Sequence, residues 1–157
     1  MSAEANKAIV RRWFGEIVNG TTDTATLLRD LDATIAPEFV DHDGPDPHHG
    51  REALRTLLPL LLHGLPDAHF TIEQLLADDD LVAVRLRGEA THTAELASIP
   101  PSGKTLVWTE NELIRLRDGR FVESWGEGTV EDALAEVGFH FGPPTASAPS
   151  EPGRADP

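Results

Sequence analysis

Apolar residues in the first third of the chain recur every three or four positions, which places them on one face of an α-helix. The pattern predicts a first helix over about residues 5–18 that ends at Asn19-Gly20, and a second helix with a threonine cap between residues 22 and 24. After Pro37–Val40 comes a loop, and a third helix opens after Gly50. Pro59 lies inside this third helix and should kink or shorten it.

From residue 68 the hydrophobic period changes to two, which is typical of β-strands with one buried face. Strands are predicted at 68–77, 81–93, 105–117 and 120–128, followed by a short helix near 130–137. This order indicates an α+β domain over residues 1–141, with three N-terminal helices and an antiparallel sheet. Residues 142–157 are rich in Pro, Ala and Ser, and we expect a disordered tail there.

Composition narrows the classes of function. The 157 residues include 27 acidic and 13 basic side chains, so the net charge of -14 argues against binding to nucleic acids or anionic membranes. Because the chain has no cysteine, disulfides, thiolate nucleophiles and Cys-ligated zinc are excluded. No apolar run reaches the length of a signal peptide or a membrane span, so we expect a cytoplasmic protein. No phosphate-binding loop or dinucleotide fingerprint occurs, and no cofactor is expected.

Several motifs occur in an order that is similar to that of SnoaL-like polyketide cyclases and ester cyclases, within the nuclear transport factor 2-like superfamily. The motifs are FVDHDG, LPDAHF, VAVR…THT…IPPSGK and DGRFVESW, and the resemblance covers about residues 5–138. It implies a cone-shaped curved sheet, wrapped by helices, whose pocket takes a hydrophobic small molecule. It also implies a cofactor-independent aldol ring closure of a polyketide in secondary metabolism, such as antibiotic biosynthesis, and a homodimer that pairs through the outer sheet face.

One position departs from the pattern of the family. The family's E-x-W-x-x-x-D ending would place a catalytic Asp at position 129, where this chain has Thr129. A threonine hydroxyl cannot act as a general base near neutral pH. Three readings follow: a cyclase whose acid–base group has moved to a neighbour such as Glu127, a protein that binds a small molecule without converting it, or a ketosteroid-isomerase-like or epoxide-opening enzyme. The isomerase reading is weakened by the absence of tyrosine, since that chemistry usually uses a phenol donor.

Strand alternation supplies candidates for acid–base chemistry. Glu110 and Glu112 share one face of the strand 105–117 with Trp108, and buried carboxyls beside an indole can exchange protons near neutral pH. The alternative is a solvated face, or ion pairs with arginines on neighbouring strands. On the last strand, simple alternation places Phe121, Glu123, Trp125 and Glu127 on one face.

Three further ionisable residues are candidates. His92 continues the apolar face of its strand and can polarise a carbonyl group, or it can be a structural histidine. The resemblance implies that His42 lies near the mouth of the cone and that Asp41 lies where the related isomerases carry their base. The histidines of this loop have no recognised ligand spacing, so no metal is expected. The predicted substrate-contacting residues are Phe39, Trp108, Trp125 and Thr129.

Overall fold

The computed structural model describes residues 1–20, 23–44 and 46–142. Its helices are α1 (Ala3–Arg12), α2 (Val18–Gly20), α3 (Thr24–Thr34), α4 (Gly50–Gly64) and α5 (Val130–Ala135), with a π-helical turn at Trp13–Ile17 and a 3-10 turn at Pro47–His49. Its strands are β1 (Ile35–Asp41), β2 (His69–Asp78), β3 (Leu81–Thr91), β4 (Thr105–Arg117) and β5 (Arg120–Gly128). The predicted tail lies outside the described residues, apart from Gly142.

The five strands form one open mixed sheet in the order β1-β5-β4-β3-β2. The four predicted strands pair antiparallel, and the α+β fold class is confirmed. Strand β1 was not predicted; it pairs in parallel with β5 through Ile35↔Phe121 and Asp41↔Ser124. Sequence alternation does not reveal it, because β1 is short and its partner lies far away along the chain. Pro37 is compatible with this position, since an edge strand leaves one row of its N–H groups unpaired.

Local signals explain where the helices begin. The Ser2 hydroxyl accepts a hydrogen bond from the Ala5 N–H at 3.1 Å, and the Asp23 carboxylate accepts one from the Thr26 N–H at 2.8 Å. The cap of α3 is therefore Asp23 and not the threonine expected from the sequence. The helix that contains Pro59 continues to Gly64, so the proline does not end it.

The helices pack on one face of the sheet, which contains the hydrophobic core. The alternation predicted for β3 is confirmed, since Val82, Val84 and Leu86 are buried while Arg85 and Arg87 are exposed. At the other side of the core, a π-helical turn interrupts the predicted first helix. Adjacent aromatic residues Trp13 and Phe14 in this turn are both buried. Within the described part of the chain, no helix has the length and apolarity needed to cross a membrane.

The side chain of Asn19 bonds to the backbone of edge strand β2. The Asn19 amide donates to the Phe70 carbonyl oxygen at 2.8 Å, and its oxygen accepts from the Phe70 N–H at 2.7 Å. Asn19 therefore satisfies both backbone groups of one residue on edge strand β2, as a neighbouring strand would.

We predict that Asn19→Ala lowers the free energy of unfolding by about 1–3 kcal/mol, because two backbone groups lose their partners. Urea denaturation measures the change. Gln74→Ala, which removes an exposed side chain from the same strand, is the control and should have little effect. Equal effects of the two substitutions would mean that the Asn19 contacts contribute nothing to stability.

Candidate active site

A cavity of about 570 Å³ lies between the helices and the sheet. Most of its wall is apolar and comes from the π-helical turn, α4, β1 and β4. The apolar residues of the wall include Trp13, Phe14, Phe39, Leu54, Leu58, Leu61, Leu62, Phe70, Trp108, Ile114, Phe121 and Leu134. An apolar cavity of this size with a few polar groups is the usual form of a site for a small organic molecule.

Two glutamates supply the polar centre of the wall. Glu110 and Glu112 lie two residues apart on β4, so both face the cavity. Their cross-strand partners on β5 are glycines: Glu110 pairs with Gly128 and Glu112 pairs with Gly126. A Cβ atom at Gly128 would lie only 2.9 Å from Glu110 Cγ, and one at Gly126 would lie 3.4 Å from Glu112 Cγ. Gly128 therefore leaves space beside Glu110, whereas a Cβ atom at Gly126 would make only an ordinary van der Waals contact with Glu112.

Burial changes the ionisation of both glutamates. Desolvation raises the pKa of Glu110, and the neighbouring Glu112 and Trp108 partly offset this rise by favouring the charged form. The pKa of Glu112 is raised well above its ordinary value of 4.5, chiefly by desolvation and then by the adjacent Glu110. Because the two carboxyls are adjacent and desolvated, a charge on one opposes ionisation of the other, and the pair keeps a proton at a pH at which an exposed glutamate is ionised.

Two aspartates approach this pair from the other side of the cavity mouth. Asp41 ends β1, and Asp43 follows in the next loop; both line the cavity, and their charges add to the rise in the pKa of Glu112. The Asp43 carboxylate accepts a hydrogen bond from the Gly126 N–H, which fixes the loop against β5. Asp43 is not among the site residues predicted from the sequence. Only the parallel pairing of β1 with β5 brings it to the site.

The ionisable side chains on the described wall of the cavity are all acidic. Glu127 and Glu131 also line it, and among the described residues no Lys, Arg or His side chain does so. Each additional negative charge raises the cost of ionising Glu112. The cavity is therefore matched to a neutral or positively charged ligand and repels anions.

The structure corrects the predicted face of β5. A bulge places Arg115↔Glu123 next to Leu116↔Phe121, so Val122 is an extra residue and the alternation shifts by one position. Phe121 lines the cavity as expected, whereas Trp125 lies on the opposite face of the sheet. Trp125 is therefore not a wall of the cavity, and Glu127 is an exposed residue at its rim.

The bulge also explains the position of His42. Its ring stacks on Trp125, with ring centroids 4.7 Å apart and an interplanar angle of 4°, and its Nε2 atom lies 2.9 Å from Glu123 Oε1. His42 therefore lies on the outer face and does not line the cavity. The hydrogen bonds of Glu123 with His42 and Arg115 lower its pKa, so this outer network contains a stable carboxylate.

His92 is fully buried and does not line the cavity. Its Nδ1 atom accepts a hydrogen bond from the Ser102 N–H at 3.2 Å and lies 3.0 Å from the Ser102 hydroxyl oxygen. These contacts assign the proton to Nε2. They hold the loop between β3 and β4, and they favour the structural alternative for this histidine.

We predict that His92→Phe lowers the free energy of unfolding by about 1–3 kcal/mol, because the Ser102 N–H loses its acceptor while the ring volume is kept. The turnover of the remaining folded protein should stay within about twofold of the wild type. Thermal unfolding and an activity assay on the same samples measure the two quantities. A large loss of turnover without a loss of stability would instead mean that His92 takes part in catalysis.

The chain is similar to known proteins over most of its length. The family model described as SnoaL-like polyketide cyclase matches residues 8–135, most of the chain. This chain belongs to the SnoaL-like polyketide cyclase family. No curated protein gives a significant match.

Solved structures agree with the family. IdmH from Streptomyces antibioticus, a candidate polyketide cyclase, is 26% identical over 85% of this chain and 99% of its own, with a TM-score of 0.65. AclR from Streptomyces galilaeus, a candidate hydroxylase, is 24% identical over 87% of this chain and 83% of its own, with a TM-score of 0.66. A candidate polyketide cyclase from Bacillus cereus is 20% identical over 89% and 87%, with a TM-score of 0.67. At 24% and 20% identity, the likenesses to AclR and to the Bacillus cereus protein show the fold alone.

Thr129 marks where this SnoaL-like chain differs from the motif of the family. Its hydroxyl accepts a hydrogen bond from the Thr109 N–H at 3.1 Å, and its own N–H donates to the Thr109 carbonyl at 2.9 Å. The side chain is exposed and does not line the cavity. Thr129 therefore extends the β4–β5 pairing into the start of α5, and we find no chemical role for it.

The raised pKa of Glu112 has a consequence for stability. Unfolding restores the ordinary pKa of 4.5, so above this pH the unfolded chain releases a proton that the folded chain retains. The folded state therefore loses stability as the pH rises from 4.5 towards the folded pKa of Glu112.

We predict that Glu112→Gln removes this loss, so that the variant gains stability relative to the wild type between pH 4.5 and pH 8. The gain is at most about 1.4 kcal/mol for each unit by which the pKa is raised, reduced by water in the cavity. Urea denaturation across this pH range measures it, with Glu38→Gln on the exposed side of β1 as the control. Parallel pH profiles for the wild type and both variants would contradict the prediction.

Proposed function

We propose that this protein catalyses an aldol-type ring closure of a neutral, polyketide-like molecule, without a cofactor. The observation that carries the proposal is the pair of adjacent glutamates, Glu110 and Glu112, in a largely apolar cavity that contains no cationic side chain among the described residues. Membership of the SnoaL-like family and the likeness to IdmH support it.

An aldol closure needs one base and one acid at the same time. The ionised member of the pair removes a proton from the carbon between two carbonyl groups, and the resulting enolate carbon forms the new bond to a second carbonyl carbon. That carbonyl oxygen gains negative charge and takes the proton of the other carboxyl group. Environment assigns the roles: Glu110 is the base, because Glu112 and Trp108 favour its charged form, and Glu112 is the acid.

The two glutamates also return to their starting protonation states after each turnover. After the bond forms, Glu110 carries the proton taken from carbon and Glu112 is ionised. A proton transfer from Glu110 to the adjacent Glu112 returns both groups to their starting forms, and no other reactant is needed. The aldol addition is an isomerisation, so its atoms and protons balance within the site.

We predict that Glu110→Gln lowers kcat by about 100-fold or more, because an amide cannot act as the base. Glu112→Gln keeps an N–H donor at the same place and should lose less activity than Glu112→Leu, which has none. Turnover of a linear aromatic polyketide to its cyclised product, followed by liquid chromatography, measures these rates. Full activity of Glu110→Gln would reject the assignment of the base.

The pH profile provides an independent check. Activity needs an ionised Glu110 and a protonated Glu112, so kcat/KM should rise and then fall with pH. Both limbs should lie above 4.5, because both pKa values are raised in the cavity. In Glu112→Gln the falling limb should disappear while the rising limb stays.

A second candidate function is the binding of a small molecule without turnover. The observation that favours it is Thr129, whose hydroxyl is used in a backbone contact at the position where the family motif has an Asp. Isothermal titration with the same polyketide separates the two functions. Saturable binding without cyclised product would support the binding protein.

A further inference from the structure

Neutral ligands that carry carbonyl groups need hydrogen-bond donors, and the wall of the cavity offers few. An ionised carboxylate accepts hydrogen bonds and donates none. Apart from protonated carboxyl groups, the side-chain donors on the described wall are the indoles of Trp13 and Trp108 and the hydroxyl of Ser124. The binding of a ketone oxygen therefore depends on a very small set of groups.

Trp108 stands out in this set. The residue is 4% exposed, and its Nε1 atom is buried without a hydrogen bond to any described residue. The indole lies close enough to Glu110 to favour the ionised form of that carboxyl, but the two groups do not reach hydrogen-bond geometry. A buried N–H group without a partner costs about 1–3 kcal/mol, so such groups are rare unless something else occupies the vacant direction.

The fold holds this indole in one position. Its ring lies flat over Gly88 on β3, where a Cβ atom would lie 2.0 Å from Trp108 Cε2 and 2.4 Å from Nε1. The edge of the ring meets Phe70, with centroids 5.6 Å apart at 80°. The pairing Gly88↔Trp108 places a residue without a side chain opposite the largest one. The indole is therefore held in place in the cavity wall, on the same face of β4 as Glu110 and Glu112, with its N–H group buried beside Gly88.

We propose that the Trp108 indole N–H donates a hydrogen bond to a carbonyl oxygen of the ligand, beside the Glu110–Glu112 pair. This assigns to Trp108 a polar contact in addition to its apolar wall. It also restricts the ligand class to neutral ketones or quinones whose oxygen reaches the wall of β4. The proposal rests on the cavity being the ligand site of the proposed function, but it requires no turnover.

Nuclear magnetic resonance of the three indole N–H groups of Trp13, Trp108 and Trp125 tests the contact in the wild-type protein. The resonance of Trp108 is assigned by its loss in Trp108→Phe. The probes are 1-tetralone and tetralin, which differ by one carbonyl oxygen. We expect 1-tetralone to move the Trp108 indole proton downfield, as a new hydrogen bond does, and tetralin not to do so. Equal shifts with both probes would overturn the proposal.

Affinity gives the second readout. Trp108→Phe keeps an aromatic ring at this position but removes the donor and part of the indole ring. Any weaker binding of tetralin measures the lost ring contact, and 1-tetralone should lose about tenfold more affinity than tetralin does. Trp125→Phe, on the outer face, is the matched control and should alter neither affinity. If Trp108→Phe retains the preference for the ketone, the donor lies elsewhere. If Trp108→Phe loses the preference for 1-tetralone over tetralin but the wild type closes no ring, the hydrogen bond of Trp108 stands and the cyclase function is rejected.

Discussion

Two adjacent carboxyl groups in an apolar cavity cannot both carry charge without a cation to offset them. This constraint organises the site of this protein. Glu110 and Glu112 face the same cavity, the nearby aspartates add further negative charge, and no basic side chain of the described chain lines the wall. The pair therefore keeps a proton under conditions in which exposed glutamates lose it, so an acid and a base stand side by side.

Glycines on the strands next to β4 make room for the polar groups of the cavity wall. Gly128 leaves room beside Glu110, and Gly88 leaves room for the Trp108 ring. In a strand interior, glycine gives up side-chain packing and has a conformational cost. A side chain at either position would collide with β4, the strand that carries Trp108, Glu110 and Glu112.

The family accounts for the fold, whereas the acidic groups of the cavity belong to this chain's own sequence. The SnoaL-like motif would place its acidic group just after the last strand, where Thr129 instead makes a backbone contact with Thr109. The acidic groups that line the described wall most deeply lie on β4 and at the end of β1. The acid–base function that we propose therefore uses groups on β4, and Thr129 has no part in it.

The glutamate pair could be found from the sequence, because the period of two along residues 105–117 is regular and fixes a shared face for Trp108, Glu110 and Glu112. Trp125 could not be placed in the same way. The bulge at Val122 shifts the alternation of inward- and outward-facing residues on β5 by one position. The local sequence pattern does not indicate this extra residue. His42 follows Trp125 to the outer face through ring stacking.

The sequence by itself determined the α+β class, four of the five strands and the facing of the regular ones, since these depend on local periodicity and on turns. Tertiary structure alone decided which distant groups meet. The parallel pairing of β1 with β5 brought Asp41 and Asp43 to the glutamates, and burial then raised the pKa of Glu112. Such pairing depends on the free energy of the whole packed core, and neither strand carries a local signal for its partner.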